Sequence, residues 1–450
     1  MSSLRAPGAD RPLRIAVIGS GISGLSAAWL LSSRHEVTLY EADRRIGGHS
    51  NTVDTPAGPV DTGFIVYNEA AYPNLTALFA HLNVPTKWSD MSLGVSLDRG
   101  RLEYSGDSLR KLFAQPANLV SGRFWTMLRD LLRFYREAPA AVAALEDTPL
   151  DVYLAAEGYS AAFRDDHLYP MAAAIWSTPA AEIGAYPAAA FIRFCINHGL
   201  LQVLNRPLWR TVDGGSREYV RRLLAPLGDR VRVGCAVRSV RRVSGLVDVT
   251  DQSGNRAFFD HVVIATHAEQ ALRLLTDPTL TERQLLGAFR YSTNEAILHR
   301  DTSLMPKRKA VWSAWNYMSE RDGDGARLSV TYWMNRLQGL PMDQPLFVTL
   351  NPPREPRAGT VLRRETYTHP TFNTEAMATQ KQLWTIQGQH NTWYCGAHFG
   401  AGFHEDGLQA GLAVAEALGG VRRPWTVASE SGRIFLQPRE AAMPALEAAE

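Results

Sequence analysis

Apolar and polar positions change rhythm several times along the 450-residue chain. Arg14–Ile18 (RIAVI) is a short continuous apolar run, which predicts a fully buried parallel strand. Residues 22–33 (ISGLSAAWLLSS) set small and apolar residues at helical spacing, and Glu36–Tyr40 (EVTLY) predicts a second strand. Strand, glycine turn, helix and strand in this space make a βαβ unit, so the chain is expected to open with a doubly wound, α/β nucleotide-binding fold. Residues 67–204 are rich in Leu, Ala, Phe, Arg and Tyr with helical periodicity, clearest over 108–137, and predict a mostly helical insertion. Strand patterns return at 231–233, 236–243, 246–250 and 261–265. A mixed stretch follows, with strand candidates at 296–299, 328–334 and 346–350. Strand, glycine and helix recur over 392–419, and residues from 426 on read as a tail. The nucleotide-binding domain is therefore expected to be discontinuous, using 1–66, 206–268 and 390–425, with 67–205 and 269–389 forming a second, substrate domain.

Composition narrows the partners. Hydrophobic residues make up 45% and charged residues 20%, with a formal net charge of +2. A nucleic-acid binder usually carries a strong basic excess, so none is expected as partner. The three cysteines, Cys195, Cys235 and Cys395, are far apart and form no CxxC pair. That suggests neither a disulfide framework nor a metal site, and a reducing, cytoplasmic setting. Residues 1–12 lack the apolar core of a signal peptide, and no run of ~20 apolar residues predicts a membrane span.

The strongest motif is Gly19-Ser20-Gly21-Ile22-Ser23-Gly24. The first glycine permits the tight turn, the second lets a diphosphate approach the main chain, and the third lets helix pack on strand. Glu41-Ala42 follows at the end of the next strand, where a carboxylate can bind both ribose hydroxyls and would repel a 2′-phosphate. That pattern alone does not separate NAD from FAD. A second glycine loop, Gly47-Gly48-His49, and then Thr62-Gly63-Phe64-Ile65 can continue along a cofactor toward a ring system. The plainer reading of this segment is a hairpin connection.

With these residues in place the sequence resembles the flavin-containing amine oxidase and phytoene desaturase superfamily. GxGxxG, Glu41 and the box Arg45-Ile46-Gly47-Gly48 follow that family's order. Val237 matches a strand valine that meets adenine, and Ala265-Thr266 matches the pair ending the following strand. Gly396 and the segment Phe403-His404-Glu405-Asp406-Gly407-Leu408 match the late glycine–helix segment that contacts the flavin. The resemblance implies FAD as cofactor and an amine-oxidase-like fold, a Rossmann-like FAD-binding domain with an inserted α+β substrate domain. GFHEDGL and Tyr367-Thr368-His369-Pro370 look closer still to a bacterial branch of predicted NAD/FAD-binding proteins associated with cyclopropane or methyl-branched fatty-acid metabolism. Two departures matter: amine oxidases carry a lysine near flavin N5, and the corresponding residues 292–299 (STNEAILH) hold none; the late segment is also shorter between its glycines, so the aromatic cage that holds an amine has no clear counterpart.

Flavin chemistry of this kind needs no side-chain triad, because the ring carries the hydride. His404, His398 and Tyr332 are the candidates for catalytic support. Glu405 and Asp406 are expected either beside the flavin or as caps of the last helix. Cys395 raises, and a buried strand position opposes, a covalent flavin link. Tyr169, Trp176, Asn197, His198, Trp333, Asn335 and His369 fit a substrate tunnel or plain core packing. Residues 109–136 interleave Leu, Phe and Trp with six Arg and Lys, which suits peripheral contact with the inner membrane face or a basic helix packed on the core. The expected reaction is hydride removal from a C–H bond of an apolar substrate, such as a fatty-acyl or lipid chain. Amine oxidation, carotenoid-type desaturation or isomerisation, and flavin binding without turnover are the alternatives. The sequence names no electron acceptor.

Overall fold

The structure, a computed structural model, describes residues 11–145, 148–176, 183–202, 206–322 and 325–436. The first ten residues and the Ala/Glu-rich end, both read above from sequence alone, lie outside them, as does the side chain of Trp176. β1 (Arg14–Ile18) and β2 (Glu36–Tyr40) have the predicted bounds and pair in parallel, Ile15 with Val37 and Val17 with Leu39. α1 (Ile22–Leu31) makes the crossover between them. The sheet has five parallel strands in the order Val231–Arg232, β2, β1, His261–Ile264, Thr392–Tyr394. α1 packs on this sheet and so does the antiparallel sheet of Val237–Val243, Leu246–Asp251 and Arg256–Phe259; a sheet covered on both faces has strands that are apolar runs rather than alternating ones. The chain goes to one side of β1 for β2 and to the other for His261–Ile264. The crevice at that reversal is where open α/β sheets bind ligands, and Gly19 and Ala265 both line it.

A second sheet has seven strands in the order Val361–Thr371, Arg290–His299, Phe347–Leu350, Gly325–Trp333, Trp315–Asp322, Leu93–Leu97, Leu102–Ser105. Its long pair, Arg290–His299 with Val361–Thr371, runs antiparallel from Arg290↔Thr371 to His299↔Val361. An apolar cluster joins the helices Gly122–Ala141 and Ala188–Asn197 through Phe134, Phe191 and Ile192. Among the described residues no helix is long and apolar enough to cross a membrane.

Three expectations change. The insertion from residue 67 is not mostly helical at its start: one helix, Pro73–His81, is followed by the strands Thr86–Ser89, Leu93–Leu97 and Leu102–Ser105, and helices resume at Leu109. The predicted helix over 108–137 stops at Leu112, gives way to a 3-10 turn over Pro116–Val120 and restarts at Gly122, where the Ser121 hydroxyl accepts the Phe124 N–H at 3.2 Å. The tail is not loose up to residue 436: Ile434 is buried, and Arg433 donates to Asp406 at 3.2 Å.

Candidate active site

The βα turn forms a cradle. Gly19 has φ +102°, and a Cβ there would lie 2.8 Å from the Ala265 carbonyl oxygen. A Cβ on Gly24 would fall on the Gly19 carbonyl oxygen, so this glycine serves helix–strand contact rather than the cavity. Gly21 differs: it lines the cavity, and a Cβ there would meet nothing within 4 Å. It is also the N-cap of α1, with no side chain capping the first turn and no acid within it. Free N–H groups at a helix start, reached across a bare Cα, are what a diphosphate requires.

Glu41 sits beside this turn. One carboxylate oxygen accepts the Ser20 N–H at 2.9 Å and the Ser20 hydroxyl, and the other accepts the Asp43 N–H at 2.8 Å. Gly47 N–H donates to the same Ser20 hydroxyl at 3.0 Å, which ties the second glycine loop to the first. Gly47 thus braces the cradle from outside the lining, while Gly48 lines it against Gly21. Ala42, Val237, Ala265 and Thr266 line the same end, joined by Asp43 and Cys235.

From this cradle a single cavity of about 1660 Å³ runs into the second domain. That exceeds the ~300–1,000 Å³ of ordinary small-molecule sites and leaves room for a dinucleotide and a substrate together. Its middle is walled by His49, Thr62, Gly63, Phe64, Ile65, Gly396, His398, Phe403 and His404, with His369 opposite on the strand Val361–Thr371. His404 stacks on Phe64 at 3.9 Å, and its Nε2 meets the Tyr219 hydroxyl at 2.7 Å. His49 lies 5.1 Å from His369 and 4.9 Å from Tyr367, ring centre to ring centre. The Asn294 amide donates to His369 Nδ1 at 3.0 Å. Nε2 of His49 and of His398 is buried without a protein partner.

Burial holds these imidazoles neutral. It lowers His398 and His404 to about 3 and His369 to about 4. His49 is pushed well below its usual value by burial and by the neighbouring His369, His267 and His404.

The late segment is corrected in part. Glu405, Asp406, Gly407 and Leu408 do not line the cavity. The Glu405 carboxylate turns away to the start of α2 (Pro73–His81). Asp406 caps its own helix, His404–Gly419, by accepting the Phe403 N–H at 2.8 Å. Gly407 lets that helix approach Ser23 and Ile22 of α1, and Leu408 is fully buried in the core. Cys395 is buried in that core, its thiol pushed up by burial, and only the next residue, Gly396, reaches the cavity.

Beyond the histidines the cavity becomes an apolar arm. Tyr332 lines it with its ring edge-on to Trp315 at 4.8 Å, and burial keeps its phenol protonated. Leu93, Val95, Phe113, Leu128 and Leu350 continue the wall. His198 lines the arm as well, whereas Tyr169, Asn197, Trp333 and Asn335 do not. Among the described residues no lysine lines any part of the cavity. The two acids on this side are both engaged, Asp90 with Arg336 and Asp107 with Lys111. Sequence reading missed most of this arm, because single Leu and Phe residues carry no mark of which cavity they face.

The chain can now be set beside known proteins. It is 27% identical over 278 residues to the putative flavin-containing monoamine oxidase AofH of Mycobacterium tuberculosis, a match spanning 59% of this chain and 59% of that relative. Among solved structures, the CLA-producing fatty acid isomerase from P. acnes shares the fold with TM-score 0.65 and 16% identity, over 90% of this chain and 98% of that one. Putrescine oxidase bound to putrescine shares it with TM-score 0.66 and 15% identity, over 90% and 99%. The profile described as flavin containing amine oxidoreductase matches residues 22–344. With a diphosphate cradle, a ribose acid and a ring-sized cavity bearing unpartnered imidazoles, the chain fits FAD and belongs to the family of flavin containing amine oxidoreductases, as an FAD-dependent oxidoreductase.

Proposed function

We propose that this enzyme removes a hydride from an activated C–H bond of a fatty-acyl or related lipid chain. The observation that carries the reading is the lining of the arm: mostly apolar and aromatic side chains and, among the described residues, no lysine and no carboxylate free to hold an ammonium group. Fold alone does not choose, since one structural neighbour is a fatty acid isomerase and another a putrescine oxidase. The match to AofH favours amine oxidation as the second reading.

FAD, when bound, supplies the hydride acceptor. The chain's own residues bind, orient and exclude water. Gly19, Gly21 and the first turn of α1 would hold the diphosphate, and Glu41 the adenosine ribose. Leu93, Val95, Phe113 and Leu128 would seat an extended hydrocarbon and keep water from it. Loss of a second hydrogen as a proton needs an acceptor, and the histidines kept neutral by burial are the groups able to serve. His49 and His398 have Nε2 unengaged for that purpose or for a hydrogen bond to the ring.

Anaerobic bleaching of the purified yellow protein tests the reading. Fatty acids or acyl lipids are expected to bleach the flavin absorbance, and simple mono- and diamines to leave it unchanged. Bleaching by an amine with none by acyl chains would establish the second reading instead.

A further inference from the structure

Exposed members of the cavity lining gather at the far end of the apolar arm. Leu109 is 76% exposed, Trp125 50%, Leu132 55% and Leu208 68%, and all four also line the cavity. Trp125 rests against Phe113, 5.5 Å between ring centres, and donates to the Leu119 carbonyl at 3.0 Å, yet half of it still faces solvent; an exposed apolar rim of this kind around an apolar opening marks an interaction site. Trp125, Arg129, Leu132 and Arg136 follow one another at spacings of four, three and four along the helix Gly122–Ala141, so they share its outer stripe. The guanidinium side chains of Arg129 and Arg136 are 70% and 75% exposed. Over residues 107–137 six basic side chains accompany three acids; Arg129 pairs with the buried Asp130 at 2.9 Å and Arg136 with Glu137 at 2.7 Å, which leaves a positive balance with both guanidinium groups largely open to solvent.

We propose that this rim is a docking surface for an anionic lipid bilayer. Trp and Leu would enter the acyl boundary while Arg129 and Arg136 remain at the level of the phosphates, the arrangement that suits an interfacial helix. A protein partner would cover the apolar rim equally well but would close the opening. A bilayer leaves it continuous with hydrocarbon, so a chain passes from membrane into the arm without crossing water. That delivery role rests on the acyl-chain reading above; the docking does not.

Flotation of the yellow holoprotein with vesicles tests the docking. Vesicles of phosphatidylcholine with phosphatidylglycerol should carry the protein, vesicles of phosphatidylcholine alone much less, and raised salt should release it. Each of Arg129→Gln and Arg136→Gln should lower the partition coefficient about fivefold. Trp125→Ser with Leu132→Ser should abolish flotation while the flavin absorbance stays intact. Trp88→Ala is the control: Trp88 is 60% exposed but stands outside the cavity lining, and its removal should change nothing. A yellow wild-type protein that ignores anionic vesicles, or Trp125/Leu132 variants that float like wild type, would overturn the docking. Flotation without bleaching by any acyl lipid would uphold the docking and remove the acyl-chain reading. Bleaching by acyl lipid in detergent without flotation would do the reverse.

Discussion

Glu405 and Asn74 hold each other twice: one carboxylate oxygen accepts both the Asn74 main-chain N–H at 3.0 Å and its side-chain amide at 2.9 Å. The other oxygen takes the Leu75 N–H at 2.9 Å, so an acid from the first turn of the last helix caps the first turn of α2. Glu405→Gln should cost about 1–3 kcal/mol, because an amide N–H₂ must face one of these buried donors. Urea unfolding measures the loss. Flavin content at a permissive temperature should stay near that of the wild type, since Glu405 does not line the cavity.

The two glycines of the βα turn should part company on substitution. Gly21→Val adds atoms only to open cavity, at φ −65°, so unfolding free energy should fall by no more than about 1 kcal/mol while FAD binding is lost. Gly24→Ala drives a methyl into the Gly19 carbonyl and should cost about 1–3 kcal/mol whether or not flavin is present. Flavin titration and thermal melts of both variants check the contrast.

Glu41→Gln should weaken FAD binding by about tenfold or more, as expected when a hydrogen bond to a charged group is lost. The fold should tolerate it, because Glu41 is partly exposed and its protein partners are the local Ser20 and Asp43. Equilibrium dialysis of the variant against FAD gives the ratio.

Acid should destabilise the protein through its histidines. His398 and His404 bind protons in the unfolded chain near pH 6.5 but in the folded one only near 3. Their stabilising contribution is whole above pH 6.5 and drains away as pH falls toward 3, by about 1.4 kcal/mol per pH unit for each. His404→Asn should flatten the slope of unfolding free energy between pH 6 and 4 by roughly that amount.

Asp61 works in the opposite sense. Burial raises its carboxyl to about 6 despite hydrogen bonds from Thr52, Ser216 and Gln338. Its folded form therefore prefers the proton, and stability is lost as pH rises from 3.8 through about 6, by about 3 kcal/mol in all. Asp61→Asn should remove that loss, which urea unfolding at pH 4 and pH 7 would detect.

What the sequence revealed was local. Gly19 to Gly24 and Glu41 are close along the chain, and β1, α1 and β2 oblige them to meet, so the cradle was readable as a spacing. The strand Val361–Thr371 was not: as an edge strand it keeps one face wet, carries Arg363, Arg364 and Glu365, and tolerates Pro370, which together erase the apolar signal. Only residues 296–299 of its partner were foreseen, since the first half, 290–295, carries polar residues even where it is buried, as at Asn294. Glu405 misled because sequence shows an acid at a helix start but not which helix it will cap, and its partner lies 331 residues away. The imidazoles converge from His49, His369 and His404, positions that no local pattern relates.

The strand Thr392–Tyr394 lies against His261–Ile264 and leads directly into Gly396, His398 and His404. During synthesis the nucleotide cradle leaves the ribosome early, whereas this last wall emerges only after nearly all of the described chain. A nascent polypeptide therefore carries the cradle's residues long before it holds the helix His404–Gly419 that packs against α1 and braces them. A chain cut short before residue 392 would lack both that strand and the helix His404–Gly419 packed on α1, so it should lose the nucleotide grip together with the wall of the redox chamber.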